Sequence, residues 1–366
     1  MSEDVYRKVQ KQLDQYCIGF PATESGVEID IIKELFNEKE AWLFSKMKGE
    51  PETSESVSQR IGQPVAEIAT KLEAMAVKGL LYRIREADVV RYSAIPFIHG
   101  LLEFQISSMP KNLVYLTGNY VKEKLHENLS GALAMRVLPV NESIEFDNQI
   151  ATYDDVYEIL KNEALIAVAD CACRVQKKVF DRACDSPLEV CMMVGPMAEY
   201  YLENKMGREI TLDEAMKITR ESHEAGLVTQ TQSVTRPFMI CNCCKCCCGF
   251  LGAQRRTPFP GKLVVSNHMA VIKADQCTGC ETCIAYCQTE AITMSADGIA
   301  EIDYDRCIGC GLCIASCPEE AMSLISKPEQ EHVAPVETLH EQLAREAEKR
   351  LKVKLAKNQV VDYGFN

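Results

Sequence analysis

Cysteine is the residue type through which this chain can do chemistry, and the 366 residues contain 19 of them. Eight cysteines form two neighbouring groups, each with the spacing C-x2-C-x2-C-x3-C. The groups are Cys277, Cys280, Cys283 and Cys287, followed by Cys307, Cys310, Cys313 and Cys317. Thiolates are ligands for soft metal centres such as iron–sulfur clusters, zinc and Cu(I). The repeated spacing therefore predicts that both groups bind metal.

The spacing also predicts which thiols act together. Each of the four irons of a [4Fe–4S] cluster takes one thiolate, and three cysteines three residues apart can surround one cluster from a tight loop. The fourth cysteine follows a short helical turn and ligates the other cluster. We expect a first cluster on Cys277, Cys280, Cys283 and Cys317, and a second on Cys307, Cys310, Cys313 and Cys287. The alternative is a pair of zinc knuckles, but zinc gives no reason for four cysteines at this spacing twice.

Glycines occupy the loops between these cysteines. Gly279, Gly309 and Gly311 each lie next to a cysteine. Because the backbone of such a loop must come close to the cluster, we expect positive φ angles there, which glycine adopts without steric cost.

Because of these cysteines and glycines, residues 263–326 resemble a bacterial-type ferredoxin domain that carries two [4Fe–4S] clusters. Pro318 follows Cys317 as in that family, whereas Gln288 stands after Cys287, where the family would also have proline. The resemblance implies one-electron transfer at low potential.

A second cysteine-rich stretch lies between residues 171 and 248. Six of its ten cysteines fall within eight residues, and no apolar core needs such a run. Thiolates this close repel one another unless a cation neutralises them, so we expect at least one metal centre. The candidate ligands are Cys171, Cys173, Cys184, Cys191, Cys241, Cys243, Cys244, Cys246, Cys247 and Cys248.

The grouping of these ten thiols and the identity of their metal stay open at this point. One or two further iron–sulfur clusters, structural zinc and a redox-active thiol/disulfide relay are the alternatives. Arg174, Lys177, Lys178 and Arg182 either lower the pKa of nearby thiols or form a solvated basic face. His223 is either a further ligand or an ordinary residue at a helix end.

Two short motifs mark this stretch, C-x-C-R at residues 171–174 and C-N-C-C-x-C-C at residues 241–247. Together with the ferredoxin segment that follows them, they make residues 27–326 resemble 4Fe-4S binding proteins of anaerobes. The resemblance implies an accessory protein of iron–sulfur oxidoreductases, and it gives no substrate.

The N-terminal part shows helical and strand patterns without chemical motifs. Apolar residues at helical spacing from Val27 predict helices, and a further helix runs from Pro64 to about Lys78, with Gly79 as its stop. Two short apolar runs then predict a hairpin, and this order resembles a winged helix. The charges of the supposed recognition helix nearly cancel, which disfavours DNA binding and favours a protein-docking or scaffolding role.

Periodicity and capping residues predict further helices in the middle and at the end of the chain. We expect them over Lys111–Leu129, from Thr152 as cap to Lys161, from Pro196 to about Met206, from Thr211 as cap to near Gly226, and as an amphipathic helix from Val336 to Lys357.

These patterns predict a multidomain α+β protein. The expected parts are an N-terminal extension (1–26), a winged-helix-like domain (27–95), a helical connector (96–150), a cysteine-rich α/β domain (151–262), a dicluster ferredoxin domain (263–326), and a C-terminal linker with its amphipathic helix (327–366).

The charge composition of the chain indicates which kinds of partner it can bind. The net charge of −13 disfavours nucleic acid, and it suits docking to the basic face of a redox protein. The sequence shows neither a signal peptide nor an apolar run of membrane-spanning length, which predicts a cytoplasmic protein. Nineteen cysteines in a reducing compartment indicate metal ligands rather than disulfides.

The sequence contains no serine–histidine–aspartate arrangement, Walker lysine loop or dinucleotide-binding glycine motif. We therefore expect any flavin chemistry to belong to a partner, such as a flavoprotein oxidoreductase, and the chain to pass single electrons. Two other functions compete with this one: a redox- or metal-sensing winged-helix regulator, and an iron–sulfur enzyme whose cluster has an open iron for substrate.

Overall fold

The computed structural model describes residues 4–16, 18–125, 135–140 and 151–338, with a few single residues between 341 and 348. The chain combines helices and sheets in two compact units, one formed by Met1–Ala134 with Leu339–Asn366 and the other by Met135–Thr338. This mixture agrees with the predicted α+β class. Cys17 and most of the predicted C-terminal helix lie outside the described residues.

The described part of the first unit contains helices and one small antiparallel sheet of three strands. Its helices are α1 (Val5–Leu13), α2 (Val27–Leu35), α3 (Glu38–Phe44), α4 (Ser54–Ile61), α5 (Val65–Val77) and α6 (Lys111–Tyr120). Its strands are β1 (Glu52–Thr53), β2 (Tyr82–Glu86) and β3 (Val89–Ser93), and irregular helical turns span Phe97–Leu101, Glu103–Ser108 and Val121–Leu125.

Helix α5 begins and ends where its sequence indicates. Pro64 precedes the first helical residue, and Gly79 adopts a φ of +78° just after the last turn. The amide of Gly79 bonds to the Ala76 carbonyl and that of Leu80 to the Met75 carbonyl, which satisfies carbonyls that the helix end would otherwise leave free. The predicted helix and the hairpin after it are therefore present.

The second unit carries most of the sheet structure. Its strands are β4 (Met135–Val137), β5 (Ile166–Asp170), β6 (Glu189–Val194), β7 (Arg208–Ile210), β8 (Val228–Gln232), β9 (Met239–Cys243), β10 (His268–Ile272), β11 (Ile292–Met294), β12 (Ala300–Ile302) and β13 (Met322–Ser326). Its helices are α7 (Val156–Leu160), α8 (Ala172–Lys178), α9 (Gly195–Glu203), α10 (Leu212–Glu224), α11 (Gly249–Arg255), α12 (Pro260–Leu263), α13 (Thr282–Tyr286) and α14 (Leu312–Ala315), with short 3-10 turns at Thr152–Asp154, Ala274–Gln276 and Glu329–Glu331.

Six strands of this unit form one antiparallel sheet with the order β4-β8-β9-β6-β5-β7. Strand β5 is a continuous apolar run whose first four residues are buried, and it leads directly into Cys171. On β6, Cys191 lies opposite Ala169 of β5, and β9 borders β6 on its other side. The sheet thus brings Cys191 and Cys241, which are 50 residues apart in sequence, into adjacent strands.

Residues 268–326 build a smaller arrangement from two antiparallel strand pairs and two short helices. Strands β10 and β13 pair antiparallel over five residues, and β11 pairs with β12. Apolar side chains of these strands form one buried cluster that also contains Cys283 and Cys313. Each of the two helices begins inside one of the repeated cysteine motifs.

Two predicted helix boundaries in this unit are wrong. Asp155, rather than Thr152, caps helix α7 and accepts the Tyr157 amide at 2.8 Å, because the preceding Asp154 points into the core and pairs with buried Arg136. Helix α9 ends at Glu203, before the predicted Met206. It ends there because Lys205 adopts a left-handed conformation that closes the last turn.

The start of the predicted C-terminal helix is also wrong. Val336 is extended and forms a parallel bridge with Val234. Its amide donates to the Ser233 carbonyl at 3.0 Å, and its carbonyl accepts the Thr235 amide at 2.8 Å. These backbone bonds are incompatible with a helix beginning at this residue.

Within the described ranges, none of the helices combines the length and the apolar character that crossing a bilayer requires.

Candidate metal centres

The two cysteine loops of residues 277–317 repeat the same backbone conformation. Gly279 and Gly309 have φ angles of +73° and +63°, and Gly311 has +80°, as the sequence predicts. Glu281, which takes the place of Gly311 in the first loop, is also left-handed, with φ +62°. A side chain at Gly309 would collide with the carbonyl oxygen of His268. The loops therefore need glycine where the backbone passes closest to neighbouring atoms. Such tight loops are suited to enclosing a bound group.

The first four predicted ligands meet at one cavity. Its lining includes the thiols of Cys277, Cys280, Cys283 and Cys317 together with the side chains of Ile272, Met294, Glu281 and Glu319. Cys317 joins this cavity although its own motif lies 30 residues further along the chain. Four thiols around one largely apolar cavity form a donor set that fits a [4Fe–4S] cluster.

The other four thiols of this segment also lie near one another. Burial raises the pKa of the Cys313 thiol, and the charges of Cys310, Cys307 and Cys287 raise it further. Burial likewise raises the pKa of Cys310 to about 12, with added repulsion from Cys287. Such thiols lose their protons only when a cation compensates the negative charge, so this donor set also suits a metal cluster.

Four cysteines of the second cysteine-rich stretch form a compact site, here called the four-thiol site: Cys184, Cys244, Cys246 and Cys247. Their sulfur atoms all lie within 4.8 Å of one another. The Sγ atom of Cys184 is 3.7 Å from those of both Cys244 and Cys247, and Cys246 lies 3.8 Å from Cys247. Tetrahedral coordination with metal–sulfur bonds of about 2.3 Å places the sulfurs about 3.8 Å apart. The spacing fits a single tetrahedral ion.

The remaining six cysteines lie on the sheet or at the starts of helices. Cys191 is on β6, Cys241 and Cys243 are on β9, and Cys171 and Cys248 stand at the N-caps of α8 and α11. Cys173 belongs to the first turn of α8. The predicted ten-cysteine set is thus divided between a loop-borne group of four and a group of six on regular elements.

Arg174 is buried between these two groups. Its side chain is about 1% exposed, and its terminal nitrogens donate to the Pro187 carbonyl at 2.9 Å and to the Asn242 carbonyl at 3.1 Å. Burial disfavours the charge, but the nearby thiols of Cys171 and Cys244 outweigh it and raise the pKa of Arg174. Its guanidinium also interacts with the thiols of Cys184 and Cys244, so its charge lies close to both groups of cysteines.

The three other basic residues of this stretch are not buried with Arg174. Lys177, Lys178 and Arg182 are exposed to solvent. The solvated-face interpretation therefore applies to these three, and the interpretation as a charge partner of thiols applies to Arg174.

A chain of hydrogen bonds positions the cysteine strand β9. Asn242 is fully buried between Cys241 and Cys243; its amide nitrogen donates to the Val190 carbonyl at 2.9 Å, and its amide oxygen accepts the Thr229 hydroxyl at 2.8 Å. His223 contacts the same hydroxyl at 2.8 Å, and burial lowers its pKa to about 4. His223 thus supports the strand through Thr229, and this hydrogen-bond partner is a hydroxyl rather than a thiol.

Gln288 connects the two cysteine-rich segments. Its side-chain oxygen accepts the amide of Lys245 at 2.9 Å, and Lys245 lies inside the loop of the four-thiol site. A proline at this place could not make this bond, so the departure from the ferredoxin pattern has a structural consequence. Arg306 adds a second connection, because its guanidinium donates to the carbonyls of Thr289 and Arg255 at 2.6 and 3.0 Å.

Sequence patterns missed the roles of Asn242 and of the Gln288 contact. The only signals were an asparagine inside a cysteine run and a glutamine in place of proline. Neither signal identifies a partner, because both partners come from distant strands or loops.

The comparisons with known proteins agree with one part of the site. Residues 270–324 match the protein-family model of the 4Fe-4S dicluster domain. The match contains all eight cysteines of the two repeated motifs. No protein of curated function and no solved structure matches the chain.

Proposed function

We propose that this chain is an iron–sulfur electron-transfer protein that exchanges single electrons with a redox partner through two [4Fe–4S] clusters in residues 270–324. The ligands would be Cys277, Cys280, Cys283 and Cys317 for the first cluster, and Cys307, Cys310, Cys313 and Cys287 for the second. When bound, each cluster accepts and releases one electron. The observation that carries the proposal is the cavity at which Cys317 joins the three cysteines of the other motif, inside the segment that matches the dicluster family.

The first thiol set is the one that a partner protein can approach. Cys280 is exposed, whereas Cys283 and Cys313 are buried. Glu281 and Glu319 line the same cavity and are exposed, so they surround this opening with negative charge. A redox partner with a basic face, such as a flavoprotein oxidoreductase, would be attracted to this surface.

The four-thiol site would hold one structural zinc ion. All four positions of a tetrahedral ion would be filled by Cys184, Cys244, Cys246 and Cys247, which leaves no open place for substrate. Burial raises the pKa of the Cys247 thiol to about 11, so a bound cation would have to take the place of its proton. A closed site of this kind stabilises the fold and does not carry electrons.

Residues 27–95 would form a winged helix that serves protein docking. The three-stranded order β1-β3-β2 after the helices supports this assignment. Basic side chains of the hairpin are used internally: Arg83 and Arg85 pair with Glu73 of α5 at 2.6 and 3.3 Å. Since these arginines neutralise an acidic residue of the supposed recognition helix, the surface lacks the basic stripe of a DNA reader.

The test is metal analysis with spectroscopy on full-length protein prepared without oxygen. We expect at least about eight irons with matching acid-labile sulfide, about one zinc ion, and low-temperature EPR signals of two interacting reduced clusters after dithionite treatment. Protein that contains zinc but no iron or sulfide would overturn the proposal.

The docking surface has its own test. Replacing Glu281 and Glu319 by glutamine should slow reduction by a basic flavoprotein reductase at low salt by about tenfold and flatten the salt dependence. The exposed Glu301→Gln variant is the matched control. Equal rates for all three proteins would show that the partner docks elsewhere.

A further inference from the structure

The six cysteines outside the four-thiol site form a closed circle of side-chain contacts, here called the six-thiol ring. Each thiol interacts with two others of the set. In ring order the members are Cys171, Cys173, Cys248, Cys243, Cys241 and Cys191, and the last contacts the first. The ring is therefore a separate donor set that draws on three separate parts of the chain, residues 171–173, 191 and 241–248.

The ring is held by rigid and buried elements. Cys171, Cys191 and Cys243 are each less than a tenth exposed. Strands β6 and β9 carry three members, and the backbone of Cys243 pairs with that of Val228 in the sheet. The Cys248 thiol also accepts the Leu251 amide at 3.4 Å. A donor set fixed in this way does not depend on loop movement to assemble.

The number of thiols exceeds what one ion can use. A tetrahedral zinc or iron ion binds four thiolates, whereas the ring presents six in a continuous circle of neighbours. More than one metal atom is needed to give each thiol a partner. Arg174 places a buried positive charge beside Cys171, which offsets part of the negative charge that several thiolates bring.

The ring also lies next to the second ferredoxin thiol set. Cys241, Cys248 and Cys310 pack against one apolar cluster, whose buried members include Cys243, Ile308 and Leu312. A metal centre in the ring would therefore be separated from the second ferredoxin cluster by a few apolar side chains. This short separation would permit electron transfer between the two centres, which a redox-active metal in the ring would use.

We propose that the six-thiol ring binds a polynuclear iron–sulfur cluster that adjoins the second ferredoxin cluster. The inference rests on the proposed iron–sulfur function, because the neighbouring ferredoxin segment is what makes iron the expected metal. It assigns six named ligands to a centre that is distinct from the four-thiol site.

The experiment compares three full-length proteins prepared without oxygen: the unaltered chain, a ring variant with Cys171→Ser and Cys243→Ser, and a matched variant of the four-thiol site with Cys246→Ser and Cys247→Ser. Iron, acid-labile sulfide and zinc are counted per chain, and EPR spectra are recorded after reduction. We expect the unaltered chain to hold more than about eight irons. The ring variant should lose only the excess iron and sulfide, and the matched variant should lose only zinc.

Two results would overturn the inference: unaltered protein with only about eight irons, whatever its zinc content, or a ring variant with unchanged iron and sulfide. The EPR signals of the ferredoxin clusters serve as the internal reference. If those signals are absent from the unaltered chain, the proposed function fails. If they persist in every protein and no iron depends on the ring, only the ring assignment fails. The count on unaltered protein decides the matter even if the ring variant does not fold.

Discussion

The ferredoxin segment and the cysteine-rich stretch before it both gather thiols, but they do so in different ways. In residues 277–317, eight cysteines stand at two repeats of one spacing, and tight loops with left-handed residues place them. In residues 171–248, ten cysteines follow no repeat: four lie together in loops, and the neighbouring strands β6 and β9 bring three of the others together. The first region places its thiols mainly through local geometry, and the second places them through tertiary contacts.

This difference shows when a set of metal ligands can be identified from local sequence and when it cannot. A local loop can be recognised from spacing, because the chain has little freedom over three residues. When strands assemble the set, strand order and pairing register decide which cysteines are neighbours. Cys191 and Cys241 meet because β6 and β9 are adjacent strands. Four predictions test this difference, and they start with the largest effect.

The first prediction concerns the loss of a buried ligand. Cys313→Ser should remove about four irons per chain, because the second thiol set loses a member that is only 8% exposed. Iron and sulfide analysis with EPR measures the loss. The matched change Cys246→Ser in the four-thiol site should leave the iron content intact. Equal iron loss from both variants would break the distinction between the two regions.

The second prediction concerns the local geometry of the loops. Gly309→Ala should lower the free energy of unfolding by roughly 3 kcal/mol, because a left-handed alanine is strained and its Cβ meets the His268 carbonyl. Gly298→Ala is the control, since Gly298 has a similar φ of +75° with no atom within 4 Å of a new Cβ. It should cost only about 1 kcal/mol. Anaerobic denaturant titration measures both, and equal losses would refute the close-approach argument.

The third prediction concerns the tertiary contacts of the cysteine-rich stretch. Arg174→Ala should lower the free energy of unfolding by about 3 kcal/mol, because it removes a buried charge that faces thiols and two buried carbonyls. The exposed Arg182→Ala variant should change stability by less than about 0.5 kcal/mol. Anaerobic thermal or denaturant unfolding compares them. A similar stability for the two variants would mean that Arg174 does not organise the thiols.

The fourth prediction concerns the link between the regions. Gln288→Ala removes the acceptor for the Lys245 amide and should cost about 1 kcal/mol. We expect zinc to leave the four-thiol site a few times faster, as followed with a colorimetric chelator, while the iron content stays the same. The control is exposed Gln276→Ala. Unchanged zinc release in Gln288→Ala would show that the loop is held without this bond.

Much of the secondary structure could be predicted from local sequence. Helix α10 begins after Thr211, whose hydroxyl caps the Glu214 amide, and ends before Gly226, whose φ is +72°. Such boundaries depend on residues within one turn of each other. The prediction failed at Asp155 because the buried ion pair of its neighbour Asp154 with Arg136 selects the cap, and that pair joins residues 18 positions apart.

The sequence by itself determined the chemistry of this protein and the positions of its donors: eight thiols at a repeated spacing, and ten more that no apolar core needs. Spacing was sufficient to identify the 4Fe-4S dicluster segment, because short loops allow few conformations and so keep a recognisable pattern. Only the tertiary structure decided how the ten thiols divide. Strand order and register set which sulfurs are neighbours, and they depend on the packing of side chains far from any cysteine.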